Sequence, residues 1–167
     1  AMEKGIHVYV QKPLTHNVKE ARMLTELARE NKIVTQMGNQ GASNPEQKMI
    51  QKWIKDGRIG KVHTVHTWTN RPVWAQGSPM PNPDPSQKPE GMDWDLWIGP
   101  AKNNGYTPGL HAFSWRGYWD YGTGSLGDMG CHIMDVPIKA LGMFEPYSIE
   151  ASIPRTPYVA DYTPAPI

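Results

Sequence analysis

The sequence predicts an α/β fold that continues into an α+β remainder, and three observations predict it. The first is a strand–helix–strand order at the start. The apolar run Ile6-His-Val-Tyr-Val10 is followed by a helical pattern to about Asn31, then by Ile33-Val-Thr-Gln-Met37. Two strands joined through a helix pair in parallel by a right-handed crossover. The second is a further amphipathic helix that gives way to an alternating stretch over 62–69. The third is a proline-rich segment over 70–92, which neither a helix nor an ordinary strand accommodates.

Each element has a local cause. Ala1-Met-Glu-Lys-Gly5 reads as the tail of a helix closed by glycine. Asn17 and Glu20 have the spacing of a capping box, and Val18, Ala21, Leu24 and Ala28 recur at helical spacing and are expected to cover the sheet. Asn44-Pro45-Glu46 opens the next helix with a cap residue, a proline in the first turn and an early acid. Met49, Ile50, Trp53 and Ile54 form its apolar face, and Asp56-Gly57 stops it. Over 62–69, Val62, Thr64, His66 and Trp68 alternate with His63, Val65, Thr67 and Thr69, the pattern of a half-exposed strand. The change of domain is placed near residues 57–61. Loops as long as 70–92 are usually functional or without fixed structure. Trp68, Trp74, Trp94 and Trp97, in and beside it, predict that parts are packed. Aromatic faces also suit the apolar C–H surfaces of sugar rings, and packing onto the sheet is an equally good account of them.

Composition narrows the class. With 167 residues the chain can bury one sizeable core, while hydrophobic residues make up only 38% and glycine and proline number 16 each. The 17 basic and 16 acidic residues are interspersed and leave a net charge of +1, which gives no support for nucleic-acid binding or a polybasic membrane patch. No apolar run approaches the ~20 residues of a membrane helix. The single cysteine, Cys131, excludes an internal disulfide framework and a cysteine-rich zinc site. Cys131 and His132 point in different directions from a helix, so no metal site is expected.

The chemistry-bearing residues lie at two places. Asp128-Met-Gly-Cys-His132 puts an acid and an imidazole four residues apart, on one helical face, after the glycine-rich run Gly122-Thr-Gly-Ser-Leu-Gly127. A carboxylate so placed can orient a ring that handles a proton, although a cap and a core histidine have the same spacing. Upstream, Gln11-Lys12-Pro13 follows the first strand, so the Lys12 amine stands at its carboxyl end, the edge where open α/β sheets bind ligands. A turn with a solvated amine is the simpler reading of that dipeptide. Together the two places point to alcohol–carbonyl chemistry. Gly122 to Gly127 formally fits the dinucleotide fingerprint. It is preceded by Trp115-Arg-Gly-Tyr-Trp-Asp-Tyr121 rather than a buried strand, and reads instead as a flexible turn feeding the Asp128 helix.

Four ordered pieces carry a family resemblance: Gly5-Ile-His-Val-Tyr-Val-Gln-Lys-Pro13, Thr35-Gln-Met-Gly-Asn-Gln40, Trp53-Ile-Lys-Asp-Gly-Arg-Ile-Gly60 and Gly124-Ser-Leu-Gly-Asp-Met-Gly-Cys-His132. With Trp68-Thr-Asn-Arg-Pro72 and Trp94-Asp-Leu-Trp-Ile-Gly-Pro100, the chain resembles the Gfo/Idh/MocA oxidoreductases over about residues 1–153. The resemblance implies that residues 1–58 are the carboxyl-terminal part of a Rossmann-type nucleotide-binding domain. It implies that 59–167 are part of an antiparallel-sheet substrate and oligomerisation domain, ending in the tail Ile153-Pro-Arg-Thr-Pro. Members begin with a complete nucleotide domain bearing Gly-x-Gly-x-x-Gly, so the chain reads as an internal fragment whose parent uses NAD or NADP and forms a homo-oligomer.

In the function so implied, hydride passes between a nicotinamide and a sugar or polyol carbinol. His132 is the base, Asp128 orients it, and Lys12 hydrogen-bonds the reacting oxygen or a ribose hydroxyl. A cis Lys12–Pro13 bond would aim the amine inward. The family usually has Glu before this lysine; Gln11 is neutral and leaves hydrogen bonding intact. Lys12, Pro13, Asn39 and Gln40 are the cofactor-facing candidates, and His111, Trp115, Arg116 and Tyr121 the substrate-facing ones, with a polar turn and ordinary loop packing as the respective alternatives. Two rival functions share these residues: an NAD-dependent glycosidase that oxidises a sugar transiently before elimination, and a non-enzymatic carbohydrate-binding or assembly module.

Overall fold

The computed structural model describes residues 1–76 and 79–152. Gly77 and Ser78 of the proline-rich loop, and the tail from Ile153, lie outside the described residues. The chain divides into two compact units: Ala1–Thr69 with Leu126–Ser148, and Asn70–Ser125 with the residues from Ile149 on.

The first unit is built on a parallel strand pair. A single 3-10 turn, Met2–Lys4, ends at Gly5, whose φ of 71° is the left-handed cap that glycine adopts without strain. Strand β1 (Val8–Gln11) pairs in parallel with β2 (Thr35–Gly38), with Val8 opposite Thr35 and Gln11 opposite Gly38. Between them runs α1 (Val18–Glu30), opened by the expected capping box. The Asn17 side chain accepts the Glu20 backbone N–H at 2.9 Å, while the Glu20 carboxylate accepts the Asn17 N–H at 3.3 Å. Helix α2 (Pro45–Lys55) has proline in its first turn, but Asn44 makes no side-chain cap; Asp56 and Gly57 (φ 71°) end it as expected. It packs against α5 (Asp135–Leu141).

The second unit holds the larger apolar core. Helix α3 (Trp94–Ile98) is capped by Asp93, whose carboxylate accepts the Leu96 N–H at 3.0 Å. Its Trp94 and Ile98 are buried with Tyr106 and Leu110; Met80, Met92, Trp97, Trp115, Tyr118 and Tyr121 pack around them. Helix α4 (Gly124–Ile133) begins in this unit and runs on into the first.

Four expectations need correction. Residues 60–73 contain no strand, and the only sheet among the described residues is the parallel pair, so the implied antiparallel sheet is not present there. A strand forms only where its N–H and C=O groups find partners, and alternation in sequence cannot supply one. Val18 is 79% exposed, because a two-stranded sheet offers α1 only a narrow face; Ala21, Leu24 and Ala28 are partly buried. The expectation that parts of the proline-rich loop and its flanks are packed holds at Trp74 and Trp94, which are buried, and not at Trp68, which is 80% exposed. The glycine-rich run is not a turn throughout: α4 starts at Gly124, four residues before Asp128. Its glycines disfavour a helix by propensity alone, and tertiary contacts override them.

Candidate functional site

The carboxyl edge of the strand pair places two side chains on one helix. Lys12 follows β1 through a cis Lys12–Pro13 bond. Its ammonium donates to the Asp128 carboxylate at 2.7 Å and to the Asp128 carbonyl at 2.8 Å. The two side chains retain only 20% and 11% of their exposure, so water screens this pair little. An ammonium has three N–H donors, and the third has no partner among the described residues. Asn39, just past β2, donates its Nδ2–H to the Cys131 carbonyl at 2.6 Å, and its Oδ1 is buried without a hydrogen-bond partner among the described residues.

His132 lies one turn beyond Asp128 on α4 and is partly buried. The Cys131 thiol donates to the Asp128 carbonyl at 3.5 Å. Burial raises its pKa, the nearby Lys12 charge pulls it back, and Asp128 and Asp135 push it up again. Asp135, in α5, is paired with Lys139 at 2.8 Å. Pro13 is partly buried beside Lys12, and Gln40 is exposed at the strand edge. Among the described residues, no group of three or more His, Cys, Asp or Glu could hold a metal ion. None of the helices there is long and apolar enough to cross a membrane.

The substrate-facing candidates gather in the second unit. Trp94 and Trp97 stack at 4.7 Å. Tyr121 stands against both at 6.4 and 6.1 Å, and the exposed His111 meets Trp97 edge-on at 6.1 Å. The Arg116 guanidinium lies 4.5 Å from the Trp115 ring centre and 4.7 Å from that of Phe113, in cation–π range, and donates to the Phe113 carbonyl at 3.0 Å. Burial, and then the Asp120 charge, raise the pKa of Tyr121. The four candidates therefore belong to one aromatic cluster.

Three contacts had no signal in the sequence. The direct Lys12–Asp128 ion pair joins residues 116 positions apart, and Asn39 reaches Cys131 across 92. In the second unit, the Gln76 side chain accepts the Ser125 N–H at 2.8 Å and so caps the amino terminus of α4. Side-chain pairings at such separations leave no periodicity to read.

In open α/β sheets ligands bind beyond the carboxyl ends of the strands, and the Lys12–Asp128 pair stands at that edge of the parallel pair. Residues 43–156 match the profile described as the oxidoreductase family's C-terminal alpha/beta domain, that of the Gfo/Idh/MocA proteins. The chain belongs to the Gfo/Idh/MocA oxidoreductase family, and its general function is that of an oxidoreductase. No curated protein matches the chain.

Proposed function

We propose that the chain is part of a nicotinamide-dependent enzyme that transfers hydride between NAD(P) and a sugar or polyol hydroxyl. The observation that carries this reading is the Lys12–Asp128 pair, held at a sheet's carboxyl edge one helical turn from His132. Residues 1–58 are read as the carboxyl-terminal part of a Rossmann-type domain and 59–167 as part of the substrate domain. Parallel pairing supports the first assignment, as does a groove of about 800 Å³ lined by Val8, Val10, Leu24, Leu27 and Met37, the kind of apolar face that further strands and helices cover.

The strand edge fits the end of a dinucleotide: the Lys12 ammonium keeps a donor, Pro13, Asn39 and Gln40 border it, and Asn39 holds an unpaired acceptor. When bound, the nicotinamide supplies the hydride acceptor. The protein's own groups do the rest. His132 takes the hydroxyl proton as the carbinol C–H bond breaks, an imidazole nitrogen serving as the base. The third N–H of Lys12 donates to the reacting oxygen as negative charge grows on it. Asp128 holds the ammonium in place and stands one turn from the imidazolium that forms. His111, Trp115, Arg116 and Tyr121 present aromatic faces and hydrogen-bonding groups suited to a polyhydroxylated ring. The parent is expected to be a homo-oligomer.

The test is to incubate the protein from the full reading frame with a panel of sugars and polyols and to follow nicotinamide reduction. Net reduction with one of them supports the dehydrogenase. Release of an aglycone without net nicotinamide consumption would replace it with the redox-assisted glycosidase, which the same base and lysine serve. Sugar binding that nicotinamide leaves unchanged would favour a non-enzymatic module.

A further inference from the structure

We propose that Asn39 is a positioning residue: its side-chain amide, beside Lys12, latches α4 onto the carboxyl edge of the sheet and fixes the turn that carries His132. The latch stands on geometry alone, whereas its consequence for His132 rests on the function proposed above. Gln11 and Gly38 are the last paired residues of β1 and β2, so Lys12 and Asn39 are the next positions on adjacent strands, which lie about 4.8 Å apart. The carbonyls they reach belong to Asp128 and Cys131, three residues apart on one helical face, a rise of about 4.5 Å. The spacing of the strand ends thus matches that of the two carbonyls.

The Cys131 carbonyl is also one that α4 cannot serve itself. A helix leaves its last four carbonyls without internal partners, and α4 ends at Ile133. The Met134 N–H goes to the Gly130 carbonyl at 3.0 Å, and Asn39 takes that of Cys131 at 2.6 Å. With Oδ1 unpaired, the donor end alone orients the amide.

Cys131 is the chain's only cysteine, so thiol alkylation reports on this turn alone. Asn39→Asp keeps the side-chain shape and removes the donor; Asn39→Ala removes both. In each, iodoacetamide should modify Cys131 about fivefold faster, the factor expected for losing the net stabilisation of one hydrogen bond. In Asn39→Ala, which adds no charge, the rate–pH profile should also move to lower pH as the thiol leaves its buried surroundings near Lys12, Asp128 and Asp135. A residue that only adds general stability would lower the melting temperature and leave that profile in place. Wild-type alkylation rates in folded variants would overturn the proposal. Should both variants fail to fold, the wild-type chain decides by side-chain amide exchange. The Asn39 Nδ2 protons should exchange more slowly than those of the exposed Gln40, and equal rates would overturn the latch. In the full enzyme, Asn39→Asp should lower kcat more than the KM for sugar. Faster alkylation with unchanged kcat would keep the latch and remove His132 from the chemistry.

Discussion

The Lys12 ammonium meets a carboxylate and a carbonyl of the same residue, and this changes what its removal should do. From sequence alone, Lys12→Met is expected to harm catalysis more than folding, since Met keeps the length and apolar stem. Given this pair, the same change removes the cation 2.7 Å from the Asp128 carboxylate, whose side chain is 11% exposed. Lys12→Met should therefore also cost roughly 3 kcal/mol, the lower end for breaking a buried pair from one side. Urea unfolding of Lys12→Met, Asp128→Asn and the double variant checks this. The double variant should be more stable than the sum of the single losses predicts, and simple additivity would show that the two side chains are energetically independent. A second residue-scale prediction follows from Cys131. Its folded pKa is raised, so between the unfolded and folded values the native state holds a proton that the unfolded chain has lost. That stabilising contribution is complete below the unfolded thiol pKa and is lost as pH rises through the folded one. Cys131→Ser should flatten the alkaline fall in melting temperature that the wild type shows over that window.

At the scale of elements, what was legible followed backbone periodicity and capping. The Asn17/Glu20 box, Pro45 in the first turn of α2 and the stop at Asp56-Gly57 all stand in the structure, because each is decided within a few residues. The stretch over 62–69 alternates as a strand would but forms none, because a strand needs a second segment to pair with and alternation does not supply one. The glycine-rich run reads as a flexible turn feeding the Asp128 helix, whereas α4 already begins at Gly124. Asn17→Ala should cost about 1 kcal/mol, measured by urea unfolding, for the lost cap. Two glycines should answer substitution in opposite ways. A Cβ at Gly117 would stand 1.8 Å from the Ala75 carbonyl oxygen, whereas at Gly130 the nearest neighbour is the Leu126 side chain at 3.8 Å. Gly117→Ala should destabilise by more than about 4 kcal/mol, because the added methyl overlaps backbone that cannot move aside. Gly130→Ala should stabilise α4 by about 0.5–1 kcal/mol through reduced freedom of the unfolded chain. Melting curves of the two variants side by side test the contrast.

At the scale of the molecule, the division of labour is uneven. The second unit has a compact aromatic core around Trp94 and Leu110, while the first buries few apolar side chains and leaves Tyr9 and Val34 69% and 66% exposed. Lys12, Asp128 and His132, the residues of the proposed site, lie in the thinly packed unit, on secondary structure rather than on loops alone. Sequence alone puts Lys12 at a strand end and Asp128 and His132 on one helical face, from their spacing and the family pieces; it does not show that Lys12 and Asp128 touch. The pyrophosphate of a dinucleotide sits at a glycine-rich strand-to-helix turn, and no such turn follows β1 or β2, so the 167-residue chain alone should bind NAD weakly by titration calorimetry. The central claim is that His132 moves the proton that accompanies hydride transfer. Single-turnover nicotinamide reduction by the enzyme proposed above, wild type beside His132→Ala, tests it most directly. The variant should react about 10²–10⁴-fold more slowly with little change in cofactor affinity, and a correctly folded variant reacting at the wild-type rate would contradict the claim.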